Sequence, residues 1–182
     1  GLGDVYKRQM QSNSQELVHS VNNLFNMAKI QSGDMVLNIQ KVNLTQVCHE
    51  IILEFYDLLE REKFHVEVNI EDKPLYANVD TEAVGRILKN LIDNAIKYGS
   101  AGKFLRISLY ENDSHICIEI EDHGVGISEK DKKHIFTRAY TADRKKGNGL
   151  GLAISQGLAN SMGGSISVIS IPQEKTVFTV RL

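Results

Sequence analysis

The chain of 182 residues has only two cysteines, Cys48 and Cys117. Each falls in an apolar patterned stretch and neither has metal-ligand spacing, so both read as buried, reduced thiols rather than zinc ligands or a disulfide framework. An excess of charge of one sign is also lacking. The formal net charge is −2, which provides no electrostatic footprint for nucleic acid. No apolar run approaches the about 20 residues of a membrane span. No secretory leader is legible either, so the expected location is cytoplasmic, with membrane anchoring of a longer parent left open. Internal repeats and low-complexity tracts are missing too. What is present is ordinary for a globular protein, 42% hydrophobic and 24% charged, in a length that suits one domain or a domain with an appendage.

The first nine residues, G-L-G-D-V-Y-K-R-Q, show neither helical nor strand periodicity. D-V-Y-K-R-Q resembles the in-frame translation of a transposon-end adapter used in sequencing libraries. On that reading the biological chain starts near Met10 and residues 1–9 are set aside; a native flexible terminus is the alternative.

From Gln15 to Ile30, Leu17, Val21, Leu24 and Ala28 form a seam at helical spacing, widened by Val18 and Phe25. One such helix needs partners, and Ser32-Gly33-Asp34 ends it. Met35, Leu37 and Ile39 alternate as a short strand would. Asn43-Leu-Thr-Gln46 fits a capping box that opens a helix through Val47, Ile51, Ile52, Phe55, Leu58 and Leu59. Residues 64–70 alternate, 75–79 suit another short strand, and Asp80 caps a helix from Thr81 to about Tyr98 that Gly99 stops. Residues 104–110 and 115–121 form a hairpin pattern around E-N-D-S. A glycine turn, a short polar helix near Ser128–His134, a polar loop over 137–148, a helix over Leu150–Met162 and two strands around P-Q-E-K complete the chain. Alternating strands with interspersed helices favour a two-layer α/β sandwich, a mixed sheet with helices on one face, over a doubly wound parallel sheet.

Three stretches suggest chemistry. On the helix 80–98, Asn90, Asn94 and Lys97 share one face while Leu88, Leu91, Ile92 and Ala95 face elsewhere. Amide oxygens suit Mg²⁺ and a lysine one turn on suits phosphate, although a solvated polar face has the same spacing. In E-D-H-G-V-G-I at 121–127, Asp122 stands at a strand end before two glycines. It can accept a hydrogen bond from an exocyclic amine, and Gly124 and Gly126 let the backbone approach a flat ring; an ordinary strand-to-helix turn also favours these residues. K-G-N-G-L-G-L-A-I-S at 146–155 lacks the P-loop spacing. It also lacks the strand-joined glycine pattern of a dinucleotide fold. A flexible lid whose glycines meet phosphate at a helix start remains.

Together and in order, Asn-x-x-x-Asn-x-x-Lys-Tyr, Asp-x-Gly-x-Gly-Ile, Ile135-Phe136 and Gly-x-Gly-Leu-Gly-Leu resemble the N, G1, F and G2 boxes of the sensor histidine kinase catalytic domain. That domain shares its ATPase superfamily with gyrase, Hsp90 and MutL. V-N-N-L-F-N-M-A-K-I-Q-S-G resembles the second helix of the family's dimerisation hairpin. The resemblance implies a Bergerat-type ATP-binding fold over residues 34–182, preceded by a truncated hairpin helix over 10–33. It implies ATP and Mg²⁺ as ligands, a response regulator as partner, and a homodimer in the full-length protein that is weak or absent in this chain.

Residue by residue, the resemblance assigns Asp122 to the adenine amino group, Asn94 to Mg²⁺, Lys97 to the phosphates and Tyr98 to the adenine or sugar side. Gly124, Gly126 and Ile127 belong to the G1 turn. Gly147, Gly149 and Gly151, with Asn148, Leu150 and Leu152, would border the phosphates. Lys145 and Lys146 are candidate lid contacts, with a solvated charge pair as the alternative. Gyrase-type relatives resemble a glutamate at the position of Asn90, and asparagine cannot act as a general base. A site that binds ATP without activating water keeps the γ-phosphoryl group for another acceptor, which argues for a kinase over a hydrolase.

Two departures stand out. Ala139 and Thr141 occupy places where the family often has an aromatic residue and an arginine, so Arg138 or Arg144 would have to substitute. None of the six histidines, His19, His49, His65, His115, His123 and His134, lies in the family's phosphoacceptor stretch. The chain is therefore expected to be the catalytic part of a kinase, incomplete for autophosphorylation. An anti-sigma-type serine kinase of the same fold and a nucleotide-gated interaction module are the alternatives.

Overall fold

Short polar caps and alternating strands set the local elements, and a computed structural model shows how they assemble. It describes residues 14, 17–18, 20–30, 32–138 and 149–182. The adapter-like residues 1–9, His19 and most of the expected loop, residues 139–148, lie outside the described residues. The first helix, α1 (residues 20–30), ends where Gly33 adopts φ +73° and the Asp34 N–H donates to the Lys29 carbonyl, as the S-G-D stop predicts.

Residues 34–39 form no strand, contrary to the alternation of Met35, Leu37 and Ile39. Met35 and Leu37 pack against the core from an irregular segment. Pairing begins only at β1 (Gln40–Asn43), antiparallel to β3 (Tyr76–Val79). Asn43 caps α2 (Leu44–Arg61) by accepting from the Gln46 N–H at 3.3 Å. Only half of the capping box forms: the Gln46 side chain lies along the helix, donating its amide to Glu50 at 2.8 Å, and does not turn back to accept from the Asn43 N–H.

The main sheet has the order β2-β4-β5-β7-β6: β2 (His65–Ile70), β4 (Phe104–Asn112), β5 (His115–Asp122), β7 (Lys175–Arg181) and β6 (Ser165–Ile171). β2 runs parallel to β4, and every other pairing is antiparallel. The β4–β5 hairpin turns on Asp113 and Ser114, whose positive φ angles of +49° and +64° match the twist of the flanking strands.

Strand alternation separates two faces. Leu105, Ile107, Leu109, Ile118, Ile120, Phe178 and Val180 point inward onto α2, α3 (Thr81–Tyr98) and α5 (Gly151–Ser161) and form one core. The outer face carries polar pairs, with Arg106 bridging Glu67 at 2.8 Å and Glu121 at 3.0 Å. The result is the expected mixed sheet with helices on one face. Cys48 and Cys117 are buried and free. No helix among the described residues is long and apolar enough to cross a membrane.

Candidate functional site

Helix α3 organises the site. Asp80 caps its start by accepting from the Ala83 N–H at 2.9 Å, and Gly99 ends it. Ile87, Leu88, Leu91, Ile92 and Ala95 are buried, which fixes the helix rotation and turns Asn90, Asn94 and Lys97 away from the core.

The three polar residues have different surroundings. Asn90 donates its side-chain amide to Ser155 on α5 at 2.8 Å, and Ser155 is buried. A Cβ built on Gly151, the first residue of α5, would lie 2.9 Å from the Asn90 Cγ. Asn90 therefore joins α3 to the start of α5, and a side chain at Gly151 would have to displace it. Asn94, one turn on, is half-buried and has no hydrogen-bond partner among the described residues, which leaves its amide oxygen able to take a metal ion. Lys97 pairs with Asp93 at 2.6 Å. Among the described residues no group of three or more His, Cys, Asp and Glu could hold a metal ion by itself.

At the other end of the site, Asp122 is the last residue of β5 and points inward with 5% of its surface exposed. Its Oδ1 accepts from the Gly124 N–H at 2.9 Å; among the described residues Oδ2 has no donor. Burial pushes the carboxyl up to about 6, opposed by the Gly124 N–H and the His123 charge and assisted by that of Glu121. A desolvated carboxylate with one oxygen committed and one free is prepared to accept from a donor supplied by a ligand.

The glycines beside Asp122 also serve close packing of the protein itself. A Cβ on Gly124 would collide with the Tyr98 carbonyl and lie 2.7 Å from the Gly99 Cα. One on Gly102 would lie 2.8 Å from the His123 Cβ, and one on Gly99 would lie 3.0 Å from the Asp122 Cβ. These glycines let the end of α3 and the turn after β5 touch backbone to backbone. Gly126 has φ +76°, and a Cβ there would lie 2.6 Å from the Pro172 Cα.

The turn is also tied to β6 and β7. The Ile127 N–H donates to the Ser170 hydroxyl at 2.9 Å, and Ser170 bonds Thr176 at 2.8 Å. Thr176 stands directly across from Asp122 in the β5–β7 register. Ser170 and Thr176 are buried and were not among the residues expected at the site. Their signal lay in the sequence: each is a hydroxyl residue at an inward position of a strand whose other inward residues are apolar.

Helix α5 closes the third side. Asn43, Asp80 and Ser128 cap α2, α3 and α4 (Glu129–Lys132) with side-chain oxygens, but Leu150 provides no side-chain cap to α5. Among the described residues no side chain caps the first N–H groups of α5, and an anion suits them. Leu150 itself is buried, Leu152 packs against the core, and Gly149 takes φ +68°. Phe136 anchors the turn after α4 by meeting Phe178 edge-on, with ring centroids 6.4 Å apart. Arg138 is exposed. Ala139, Thr141, Arg144, Lys145, Lys146, Gly147 and Asn148 lie outside the described residues.

Along α3, Asn90 meets α5, and Tyr98 and Gly99 meet the Asp122 turn. Nine residues at ~1.5 Å rise separate these contacts by about 13 Å, an interval of the order of an extended nucleoside triphosphate.

Comparison with known proteins agrees with this geometry. The family described as "Histidine kinase-, DNA gyrase B-, and HSP90-like ATPase" matches residues 79–182, more than half of the chain. Sensor histidine kinase YcbM of Bacillus subtilis is 40% identical over 178 residues, covering 95% of this chain and 57% of that protein. Sensor histidine kinase WalK of the same organism is 28% identical over 179 residues, covering 94% of this chain and 29% of that protein. The chain thus spans little more than half of one curated relative and under a third of the other. Among solved structures, Acinetobacter baumannii histidine kinase AdeS superposes with a TM-score of 0.82 at 26% identity, over 98% of this chain and 83% of that one. The chain belongs to the histidine kinase-, DNA gyrase B- and HSP90-like ATPase family.

Proposed function

We propose that residues 34–182 are the ATP-binding catalytic domain of a bacterial two-component sensor histidine kinase and that residues 10–33 belong to its dimerisation hairpin. The observation that carries the reading is Asp122: a buried carboxylate with one oxygen held by the Gly124 N–H, about one nucleotide length along α3 from an uncapped helix start.

In this reading the free Oδ2 of Asp122 accepts from the exocyclic amine of adenine, and Thr176 borders the same edge of the base. The Tyr98 side chain lines the sugar side. The N–H groups at the start of α5, from Gly151 onward, receive phosphate oxygens. Lys97 exchanges Asp93 for phosphate, and Arg138, Lys145 and Lys146 add charge from the connecting loop. The donor set fits Mg²⁺: Asn94 offers an uncommitted amide oxygen, and the remaining ligands of an octahedral ion are ordinarily phosphate oxygens and water. When bound, the ion neutralises charge on the β- and γ-phosphates. Asn90 is committed to Ser155 and carries no basic group, so nothing at that position activates water. The γ-phosphoryl group is thereby kept for a histidine acceptor, and from there for a response-regulator aspartate.

Titration of Mg-ATP into the chain by calorimetry, beside Asp122→Ala, tests this. Saturable binding that the substitution abolishes is expected. A folded chain that binds no Mg-ATP, or binds it equally after Asp122→Ala, would refute the reading.

A further inference from the structure

Two cross-strand rows on the outer face of the sheet end beside the Asp122 turn. Glu67, Arg106 and Glu121 stand across from one another on β2, β4 and β5. His65 and Phe104 pair one pleat nearer the end of the sheet, and the ring of His123 completes their row. His123 is joined to both rows. Its ring stacks on Phe104, with centroids 4.0 Å apart and planes 17° from parallel. Its Nε2–H donates to Glu121 at 2.9 Å. Arg106 holds the same Glu121 at 3.0 Å, and the Glu121 side chain is only 12% exposed.

The place of this attachment gives it a consequence for the site. The β ladder ends at Asp122, which pairs with Leu105 on one side and Thr176 on the other. His123 is the first residue beyond the ladder. Successive side chains of a strand point to opposite faces. A His123 ring fixed on the outer face therefore fixes the peptide that sets Asp122 on the inner one. Charge acts in the same direction. Glu121 pushes the Asp122 carboxyl toward its protonated form, and the His123 charge opposes that.

We propose that His123 is a positioning residue for the candidate ATP site, clipped to Glu121 and Phe104 on the outer face so that the end of β5 presents Asp122 inward. The other charged or titratable groups on the elements around His123 are His65 and Glu67 of β2, Arg106 of β4, Lys103 before it, Tyr98 at the end of α3 and Lys175 of β7. Glu67 is shared by Arg106 and His65, and Lys103 pairs with Glu62. Arg106 and His123 are thus the groups that cover the Glu121 charge. That adenine is what Asp122 meets rests on the function proposed above; the clip itself does not.

NMR on the nucleotide-free whole chain and calorimetry with Mg-ATP test it together. His123→Ala removes the stack and the hydrogen bond. It should speed amide exchange at Gly124 about tenfold and weaken Mg-ATP binding at pH 8 by a similar factor, the scale of one hydrogen bond to a charged group. His123→Gln keeps a donor for Glu121 but not the charge. It should move the titration of the Asp122 carboxyl to higher pH. Asp122 titrates at about 6, so at pH 8 it is ionised in both proteins and His123→Gln should bind Mg-ATP like wild type. At pH 6 the same variant should bind several-fold more weakly than wild type. A folded His123→Ala chain with unchanged Gly124 exchange would overturn the clip, and so would an Asp122 titration that His123→Gln leaves in place. Both of these readouts are made without nucleotide. A wild-type chain that bound no Mg-ATP would therefore refute the ATP reading while the NMR still decided the clip.

Discussion

Replacing Asp122 with asparagine should stabilise the nucleotide-free chain at pH 8 while removing its capacity for adenine. The carboxyl ordinarily titrates at 3.8 and burial lifts it to about 6. At ~1.36 kcal/mol per pH unit that gap is worth about 3 kcal/mol against the folded state. The sign follows from proton linkage. Between these two values the folded chain holds a proton that the unfolded chain has released, so stability falls as pH rises and stays at the lower level above about pH 6. Asparagine does not titrate, has nearly the same shape, and can keep Oδ1 on the Gly124 N–H. Allowing for water reaching Oδ2, the gain at pH 8 should be about 2 kcal/mol, or ~4–8 °C in Tm for a chain of this size. At pH 4 the wild-type carboxyl is largely protonated in the fold and the gap should nearly close. Urea denaturation of both proteins at pH 4 and pH 8 measures this, because every other group titrates alike in the two. ATP affinity should fall about a hundredfold, since the new amide nitrogen would oppose the adenine amine, donor against donor. A variant less stable than wild type at pH 8, or one whose advantage is equal at the two pH values, would refute the argument that Asp122 is a strained, ligand-directed carboxylate.

Two further substitutions separate packing from binding. Gly124→Ala places a methyl 2.7 Å from the Gly99 Cα and against the Tyr98 carbonyl, both backbone, so urea denaturation should show a loss of about 2–3 kcal/mol. Asn94→Ala removes a side chain with no partner among the described residues; its Tm should match wild type, while the Mg²⁺-dependent part of ATP affinity, measured by calorimetry with and without EDTA, should disappear.

Local chemistry made much of the molecule readable. Asn43 and Asp80 cap the helices they were expected to cap, because a short acceptor side chain beside free N–H groups needs nothing from afar. The hairpin at Asp113-Ser114 and the boundaries of β2, β3, β6 and β7 follow from alternation and turn residues. Where the choice of partner decides, the pattern was less informative. Met35, Leu37 and Ile39 have strand alternation but no strand to pair with. Gln46 fits a capping box, yet its side chain donates to Glu50 one turn on instead of accepting from the Asn43 N–H. The seam of α1 stays exposed, as a helix that needs partners outside itself should leave it, but that Asn23 on another face would be buried against Arg86 could not be read from the pattern.

The order of four short boxes, three of them built on asparagine, aspartate or glycine and one on Ile135-Phe136, sufficed to indicate the family, since their spacing is local. The sequence by itself also determined the helix rotation that separates Asn90, Asn94 and Lys97 from the core, because that depends only on a 3.6-residue period. Tertiary structure decided what each of these residues is free to do. Asn90 is spent on Ser155 because α5 lies against α3, and Asn94 is spared. Asp122 is desolvated because the β5–β7 register sets it against Thr176 and the glycines bring the end of α3 onto its turn. Burial and partner choice are properties of pairings between segments far apart in the chain, and no local pattern carries them.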